Sequence, residues 1–363
     1  MNLGIVGGGQ LARMLALAGV PLGIRCTVLD PAPEACAAVV ARHLRGAYDD
    51  PERLATLARD CEAVTFDFEN VPAEAAHWLA ERLPVAPPPQ ALACAQDRLS
   101  EKTLFRELGI DTPAFAHVDS LADLHAAVTD IGLPAILKTR RLGYDGKGQR
   151  RLVSEADIVP AWEALGEVPL LLEALVPFQR EVSLLAVRDR EDNLGFYPLV
   201  ENHHREGILR LSLAPYDNPA LETVAREAVT ALLRCLDYVG VLAVEFFVLE
   251  NRLLANEMAP RVHNSGHWSI EGAETSQFEN HLRAVLGLPL GDTATRGHSA
   301  MVNCIGGFPP LARALSLGVH AHDYAKAPRP GRKVGHLSLR ADTREDLQKR
   351  LSPVLALVAE TTA

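Results

Sequence analysis

Two glutamates, Glu245 and Glu257, interrupt two apolar runs in the segment 241–268, VLAVEFFVLENRLLANEMAPRVHNSGHW, and a dense polar tract follows at once. The runs 241–249 and 253–258 are rich in β-branched, aromatic and leucine residues, and Glu250, Asn251 and Arg252 between them mark a reversal. A hairpin with that three-residue loop sets Glu245 opposite Glu257. Facing carboxylates repel unless a cation or a proton lies between them, and hard oxygen ligands of this kind suit magnesium held jointly with phosphates. Glutamates on a solvated edge strand would look similar. Here, however, Leu242, Val244, Phe246 and Val248 on one face and Val241, Ala243 and Phe247 on the other make both faces apolar, so Glu245 is expected as a buried charge that needs a partner. Arg261, His263, Asn264, Ser265 and His267 then crowd into seven positions, with Gly266 allowing close backbone approach to a ligand.

The elements that hold these residues belong to a chain of 363 residues, 48% hydrophobic, which exceeds one ordinary core and predicts two or three subdomains. The balance of 36 basic against 46 acidic residues disfavours a nucleic-acid surface while permitting local basic pockets for phosphates. Six cysteines without C-x-x-C spacing indicate neither a zinc site nor a disulfide framework, and a reducing cytoplasm fits them. No charged leader and no apolar run of the roughly 18 residues needed to span a bilayer is present, so neither export nor membrane anchoring is expected.

The first 90 or so residues alternate strand and helix patterns: strand 3–6, a Gly7-Gly8-Gly9 loop, helix 10–18, strand 26–29, helix 51–60, strand 63–66 and helix 72–82. This is a small doubly wound parallel sheet, with the proline-rich APPPQ at 86–90 as its boundary. The glycines fit a dinucleotide fingerprint with Asp30 near the place of a ribose-binding acid, which makes a nicotinamide dehydrogenase a local rival. The same N–H groups at a helix N-terminus suit a single phosphate equally well. Glu69 and Asn70 follow a strand, where the carboxyl ends of parallel strands meet ligands.

A helix at 97–108 comes next and is expected to cover the site from outside. Strand 134–138 delivers Lys138 directly before the glycine-rich run Gly143-Tyr144-Asp145-Gly146-Lys147-Gly148-Gln149. A lysine and a glycine flap suit a nucleotide triphosphate, although the run lacks the Walker A pattern and a D-G hairpin turn reads much the same. Strand 170–173 ends at Glu173, followed by Ala174, Leu175 and Val176, and Glu181 opens the strand to 187. An extended segment of this kind offers backbone groups to an adenine edge and a carboxylate to ribose hydroxyls. Asn202, His203 and His204 fall between strands 196–200 and 208–211.

The order of Lys138, GYDGKGQ, EALV, Glu181 and the paired Glu245 and Glu257 resembles the ATP-grasp fold over about 97–290. GGGQLARM at 7–14, TFDFENVP at 65–72, NEMAPRVHNSGHW at 256–268 and RPGRKVGH at 329–336 resemble, more narrowly, the N5-carboxyaminoimidazole ribonucleotide synthetases of purine biosynthesis. The resemblance implies an α/β chain: an N-terminal Rossmann-like pre-ATP-grasp domain (1–96), an ATP-grasp small subdomain with the flap (97–176), and a large subdomain with a small C-terminal region (177–363). It implies ATP, bicarbonate and 5-aminoimidazole ribonucleotide as substrates, carboxyphosphate as intermediate, Mg2+ or Mn2+ on Glu245 and Glu257, and a homodimer. ATP would lie against Arg98, Lys138, 143–149, 173–176, Glu181, His204, Asn256 and Glu257. Arg261, His263 and Asn264 would clamp bicarbonate and carboxyphosphate. The ribonucleotide would meet Gly9, Gln10, Leu11, Glu69, Asn70, Tyr144 and Asp145, with its phosphate at Arg332 and Lys333. An asparagine that often follows the second glutamate in the superfamily is replaced by Ala259. A formate-dependent glycinamide ribonucleotide transformylase would share the nucleotide site but lack HNSGHW, and a metal-free nucleotide-binding regulator would need neither Arg261 nor Lys333.

Overall fold

The first sheet has the order β3-β2-β1-β4 with all pairings parallel: β1 (Asn2–Val6), β2 (Arg25–Asp30) and β4 (Ala63–Phe66) are largely buried, and β3 (Arg42–Arg45) is a polar edge. The computed structural model describes residues 1–143, 147–166 and 168–361. Helix α1 (Gln10–Gly19) starts directly on the glycine loop, and α2 (Pro51–Asp60) is opened by Asp50, whose carboxylate accepts from the N–H groups of Glu52 and Arg53. Helices α3 (Ala73–Ala80) and α4 (Pro89–Ala95) follow. The APPPQ segment is tied to this sheet. Ala86 is buried and its N–H bonds to the Val64 carbonyl, while Pro89 sits in the first turn of α4, where its missing N–H is harmless.

The second sheet, order β5-β8-β6-β7, lies within 115–174 and is antiparallel: β5 (Phe115–Val118), β6 (Ala135–Thr139), β7 (Gln149–Leu152) and β8 (Leu170–Ala174). Before it runs α5 (Arg98–Glu107), capped by Asp97; α6 (Leu121–Ile131) and α7 (Ile158–Leu165) pack on it.

The third sheet has nine strands. It contains β9 (Arg180–Arg188), β10 (Leu194–Phe196), β11 (Val200–Arg205), β12 (Ile208–Ala214), β13 (Gly240–Leu249), β14 (Arg252–Ala259), β15 (His298–Ile305), β16 (His320–Asp323) and β17 (Lys333–Ala341), in the order β14-β13-β9-β11-β12-β15-β17-β16, with β10 paired to β9. Helix α8 (Pro219–Cys235) covers one face, α9 (Ser269–Gly272) and α10 (Gln277–Val285) lie on the other, and α11 (Leu311–Ser316) and α12 (Arg344–Ala359) close the C-terminal end. The strand expected at 196–200 is displaced. Pro198 offers no ladder N–H, so β10 stops at Phe196, and Asn202, His203 and His204 lie inside β11 instead of between strands.

Contacts between the first and third sheets are buried. His281 of α10 accepts from the Val241 N–H through Nδ1 at 3.0 Å and reaches Thr65 Oγ1 of β4 with Nε2 at 2.7 Å, while Leu11 and Leu15 of α1 share a core with Phe278 and Leu282.

The hairpin of β13 and β14 pairs Glu245 with Glu257. The loop, however, has two residues, since Leu249 pairs with Arg252 and Glu250 alone takes a positive φ of 57°. A two-residue turn continued regularly would place Asn256 opposite Glu245. A β-bulge beyond Phe246 and Ala255 takes up Asn256 and restores the glutamate pair.

Candidate active site

The start of α1, the segment that follows β4 and strands of the second and third sheets line one cleft of about 540 Å³, within the range for small-molecule sites. Glu245 and Glu257 stand in it, the first nearly buried and the second open to the cleft. Burial, and then the Glu257 charge, push the Glu245 carboxyl up to about 7. A third carboxylate, Glu101 of α5, is fully buried beside them and is raised to about 8 by burial and by Glu257; it accepts from the Met258 N–H at 2.6 Å. Arg98 answers part of this charge, its Nη1 lying 3.2 Å from Glu257. Asn256, taken up by the bulge, also lines the cleft.

Arg261, His263 and Asn264 line the same cleft. The Arg261 Nε donates to Glu69 Oε2, and although burial pushes the Glu69 carboxyl up, the arginine outweighs it and holds its pKa low. His263 Nε2 lies 3.5 Å from Glu245 Oε1, and burial followed by the Arg261 charge keeps this imidazole neutral. Asn264 forms a reciprocal amide pair with Asn303, at 3.1 and 2.6 Å. His267 is not brought to the cleft; it is fully buried against His336, with ring centroids 5.0 Å apart.

Lys138 lines the cleft at the end of β6 and donates to Glu173 Oε2 at 2.6 Å. A second ammonium, Lys102 of α5, lies 3.3 Å from the other oxygen of Glu173 and donates to the Ala255 carbonyl, with no exposed surface. Burial pushes Glu173 up, but the two lysines outweigh it and hold the carboxyl at about 2. The Glu173 side chain is thus turned inward to hold Lys138, not outward to a ligand, and neither it nor Ala174, Leu175 or Val176 lines the cleft. The N–H groups of Ala174 and Leu175 bond to the Ala114 and Pro134 carbonyls. Gly143 and Gln149 line the cleft, Gly148 bonds through its carbonyl to the Thr139 N–H, and Lys147 is exposed away from the lining. Tyr144, Asp145 and Gly146 lie outside the described residues. Glu181 and His204 meet at 3.0 Å; burial lowers the imidazole, but Glu181 and Glu245 outweigh it and raise its pKa. Nearby Phe178 and Phe247 stack at 4.6 Å, a flat apolar wall absent from the sequence reading.

The glycine loop departs from expectation. The Gly8 N–H bonds to Asp30 Oδ2 at 2.8 Å, and the Gly9 and Ala12 N–H groups bond to the two oxygens of Asp67 at 2.8 and 2.6 Å. A Cβ on Gly9 would come within 2.4 Å of Asp67 Oδ2. The helix N-terminus already holds an anion of its own, so the reading of this loop as a phosphate or pyrophosphate cradle is corrected, and the dehydrogenase falls with it. Asp30 likewise binds Gly8, Ala32 and Tyr48 instead of a ribose. Gln10, Leu11, Glu69 and Asn70 do line the cleft, whereas Gly9 does not. Lys333 lines it too, while Arg332 bonds the Ala327 carbonyl at 3.2 Å and lies off the lining. A cation the sequence reading missed, Lys326, donates to Gln10 Oε1 and feels both Asp67 and Lys333.

Three family models match in series: the ribonucleotide synthetase preATP-grasp domain over 1–96, the ATP-grasp domain over 103–278, and the phosphoribosylaminoimidazole carboxylase C-terminal domain over 299–350. The chain is 56% identical over 359 residues to the N5-carboxyaminoimidazole ribonucleotide synthase of Pseudomonas aeruginosa, covering 99% of each. The chain belongs to the N5-carboxyaminoimidazole ribonucleotide synthase family. It is an ATP-dependent ligase of the ATP-grasp fold, acting in purine biosynthesis. A family member from Brucella melitensis is 48% identical over 93% of this chain and 95% of its own. The crystal structure of the synthetase from Thermus thermophilus superposes with a TM-score of 0.95 at 56% identity, covering 98% of both chains. The Aspergillus clavatus synthase in complex with ADP and 5-aminoimidazole ribonucleotide gives 0.92 at 33% identity, over 99% of this chain and 98% of that one.

Proposed function

We propose that Arg261, His263 and Asn264 form the carboxyphosphate end of the cleft and Lys333 the ribonucleotide end, in the ATP-dependent carboxylation of 5-aminoimidazole ribonucleotide that characterises the family. The observation that carries this assignment is that the Glu245–Glu257 pair and the Arg261–Asn264 run line one cleft together with Lys138 and Lys333. A bicarbonate oxygen attacks the γ-phosphorus of ATP and ADP leaves. The amine nitrogen of the ribonucleotide then attacks the carboxyl carbon of carboxyphosphate, inorganic phosphate leaves, and the nitrogen loses a proton.

Each residue acts by position and charge. Lys138, held by Glu173, meets charge developing on the phosphates. Arg261, oriented by Glu69, presents a guanidinium to the bicarbonate and carboxyphosphate oxygens. Phe178 and Phe247 offer a flat wall to the adenine, and the Glu181–His204 pair lies where ribose hydroxyls need acceptors. Lys333, with Lys326 close by, meets the ribonucleotide phosphate.

The carboxylates fit a magnesium ion. Glu245 without a cation beside it is pushed towards protonation, and among the described residues no group of three or more His, Cys, Asp or Glu could hold a metal. Two carboxylates are what a magnesium ion otherwise bound by phosphate oxygens and water requires. When bound, it neutralises phosphate charge and polarises the γ-phosphoryl group. We further read the chain as three units, 1–96, 97–176 and 177–363, acting as a homodimer in the cytoplasm. Six free cysteines support the last point, and among the described residues no helix is long and apolar enough to cross a membrane.

The test follows ADP release and labelled bicarbonate in parallel, with and without the ribonucleotide. The wild type should form labelled product only with all three substrates. Lys333→Ala should release ADP without matching product. If that variant loses ADP release and product equally, and high ribonucleotide does not rescue it, Lys333 belongs to the phosphoryl-transfer end and the division is wrong.

A further inference from the structure

A buried chain of side-chain hydrogen bonds leads from His263 away from the cleft. Ser212 Oγ donates to Asn202 Oδ1 at 2.7 Å, Asn202 Nδ2 donates to Ser183 Oγ at 2.9 Å, Ser183 Oγ donates to Ser265 Oγ at 2.7 Å, and Ser265 Oγ lies 2.9 Å from His263 Nδ1. The three serines are fully buried and Asn202 is 4% exposed, so no bulk water competes for these bonds. The groups come from β9, β11, β12 and the turn that follows His263.

A hydroxyl has one hydrogen, so a row of hydroxyls has a direction, and an amide nitrogen, which only donates, sets it. With Asn202 Nδ2 donating to Ser183, the Ser183 hydrogen passes on to Ser265, and the Ser265 hydrogen points to His263 Nδ1. A longer and weaker contact agrees with this polarity without setting it alone: the backbone N–H of Ser265 is directed at His263 Nδ1 at 3.3 Å, against 2.9 Å for the hydroxyl. With Nδ1 accepting, the ring of a neutral histidine carries its hydrogen on Nε2, the atom that faces Glu245 and the cleft.

We propose that Asn202 is a positioning residue: through Ser183 and Ser265 it locks His263 as the Nε2–H tautomer, so that the ring presents a hydrogen-bond donor to the oxyanions in the cleft. This rests on the placement of His263 at the carboxyphosphate end. The opposite tautomer would aim a lone pair at the same oxyanions. Loss of one preorganised donor of this kind lowers kcat by about 10²- to 10³-fold.

Asn202→Asp keeps the outline but replaces the donor by an acceptor, which turns the Ser183 hydrogen round. Ser183→Ala cuts the chain and serves if the aspartate variant does not fold. Protein labelled with 15N-histidine, with the His263 signals identified by their loss in His263→Asn, reports the tautomer through the ring nitrogen shifts. The wild type should show Nε2–H, Asn202→Asp a shift of population to Nδ1–H, and Ser183→Ala a mixture. In Asn202→Asp the kcat for bicarbonate-dependent ADP release should fall by about 10²- to 10³-fold with the KM for ATP within about twofold. Nδ1–H in the wild type, or an unmoved tautomer in both variants, overturns the relay whatever kcat does. A moved tautomer with unchanged kcat upholds the relay's geometry but overturns its role in the reaction and the placement of His263 with it.

Discussion

Replacing Glu173 by glutamine leaves Lys138 and Lys102 facing each other with no anion between them, and removing Lys102 as well should then restore stability. In the wild type Glu173 joins the two ammoniums, at 2.6 Å to Lys138 and 3.3 Å to Lys102, and the latter has no exposed surface. Breaking a buried pair by deleting one partner costs roughly 3–5 kcal/mol, because the partner charge stays buried and unpaired. Glu173→Gln should lie in that range. Lys102→Met is milder. Burial, opposed only in part by Glu173, already depresses the Lys102 ammonium, so its removal relieves a desolvation penalty while leaving the Ala255 carbonyl without its side-chain donor. The balance is a loss of about 1–2 kcal/mol, set by the carbonyl and by the longer of the two ion contacts. The double variant lacks the like-charge contact, so it should be about 1–3 kcal/mol more stable than Glu173→Gln alone, a coupling well outside additivity. Urea unfolding of the four proteins, with slopes compared before midpoints are interpreted, measures the cycle. A double variant less stable than Glu173→Gln, or effects that simply add, would refute the idea that Lys102 and Lys138 are held together by one shared carboxylate.

Glu257→Gln, nearly isosteric and open to the cleft, should abolish turnover and weaken the magnesium requirement's saturation while leaving the far-UV spectrum and Tm close to wild type; wild-type turnover would remove Glu257 from the metal site. Two groups with depressed pKa values should also make stability fall in acid in two stages, against the opposite trend of Glu101 and Glu245, whose raised carboxyls favour the fold as pH falls. His281, held at about 4 against an ordinary 6.5, stabilises the fold above pH 6.5, and this is lost as pH falls towards 4, because the unfolded chain takes up the proton first. Glu173, held at about 2 against 4.5, adds stability above pH 4.5 that is lost as pH falls towards 2. Each shift corresponds to on the order of 3 kcal/mol at full effect. Burial holds His263, His267 and His336 low as well, so His281→Gln should make the first stage shallower without abolishing it and leave the second as in wild type; a profile parallel to wild type between pH 7 and 4 would refute its part.

The site was legible where the chemistry is local in the chain. Glu245 and Glu257 stood out because charges interrupted runs that were apolar on both faces, and Arg261, His263 and Asn264 followed within a few residues. The pairing was anticipated from a three-residue loop, whereas a two-residue loop plus a bulge at Asn256 produces it; a bulge leaves no mark in apolar alternation. Asp67 was invisible as a loop cap because the N–H groups that it binds, those of Gly9 and Ala12, lie 58 and 55 positions away along the chain. Glu101 and Lys102 were missed for the opposite reason. Amphipathic patterning assumes charges face water, yet α5 buries both together with Phe105 and leaves Leu104 and Leu108 half-buried. Lys326 reaches Gln10 across most of the chain, a distance no motif spans.

The two-residue loop and the bulge together make the hairpin tolerant of changes in residue identity and intolerant of changes in residue number. Glu250 and Asn251 turn the chain, so several residue types would serve there provided that position 250 accepts its left-handed φ, but deleting one residue between Phe246 and Asn256 would either erase the bulge or shift the register, and the partner of Glu245 would become a side chain of the wrong kind. An insertion carries the same penalty unless a second bulge absorbs it. Grafting of loops, tags or binding segments into this protein therefore belongs elsewhere on its surface, for the reversal between β13 and β14 acts as a counter as much as a connection.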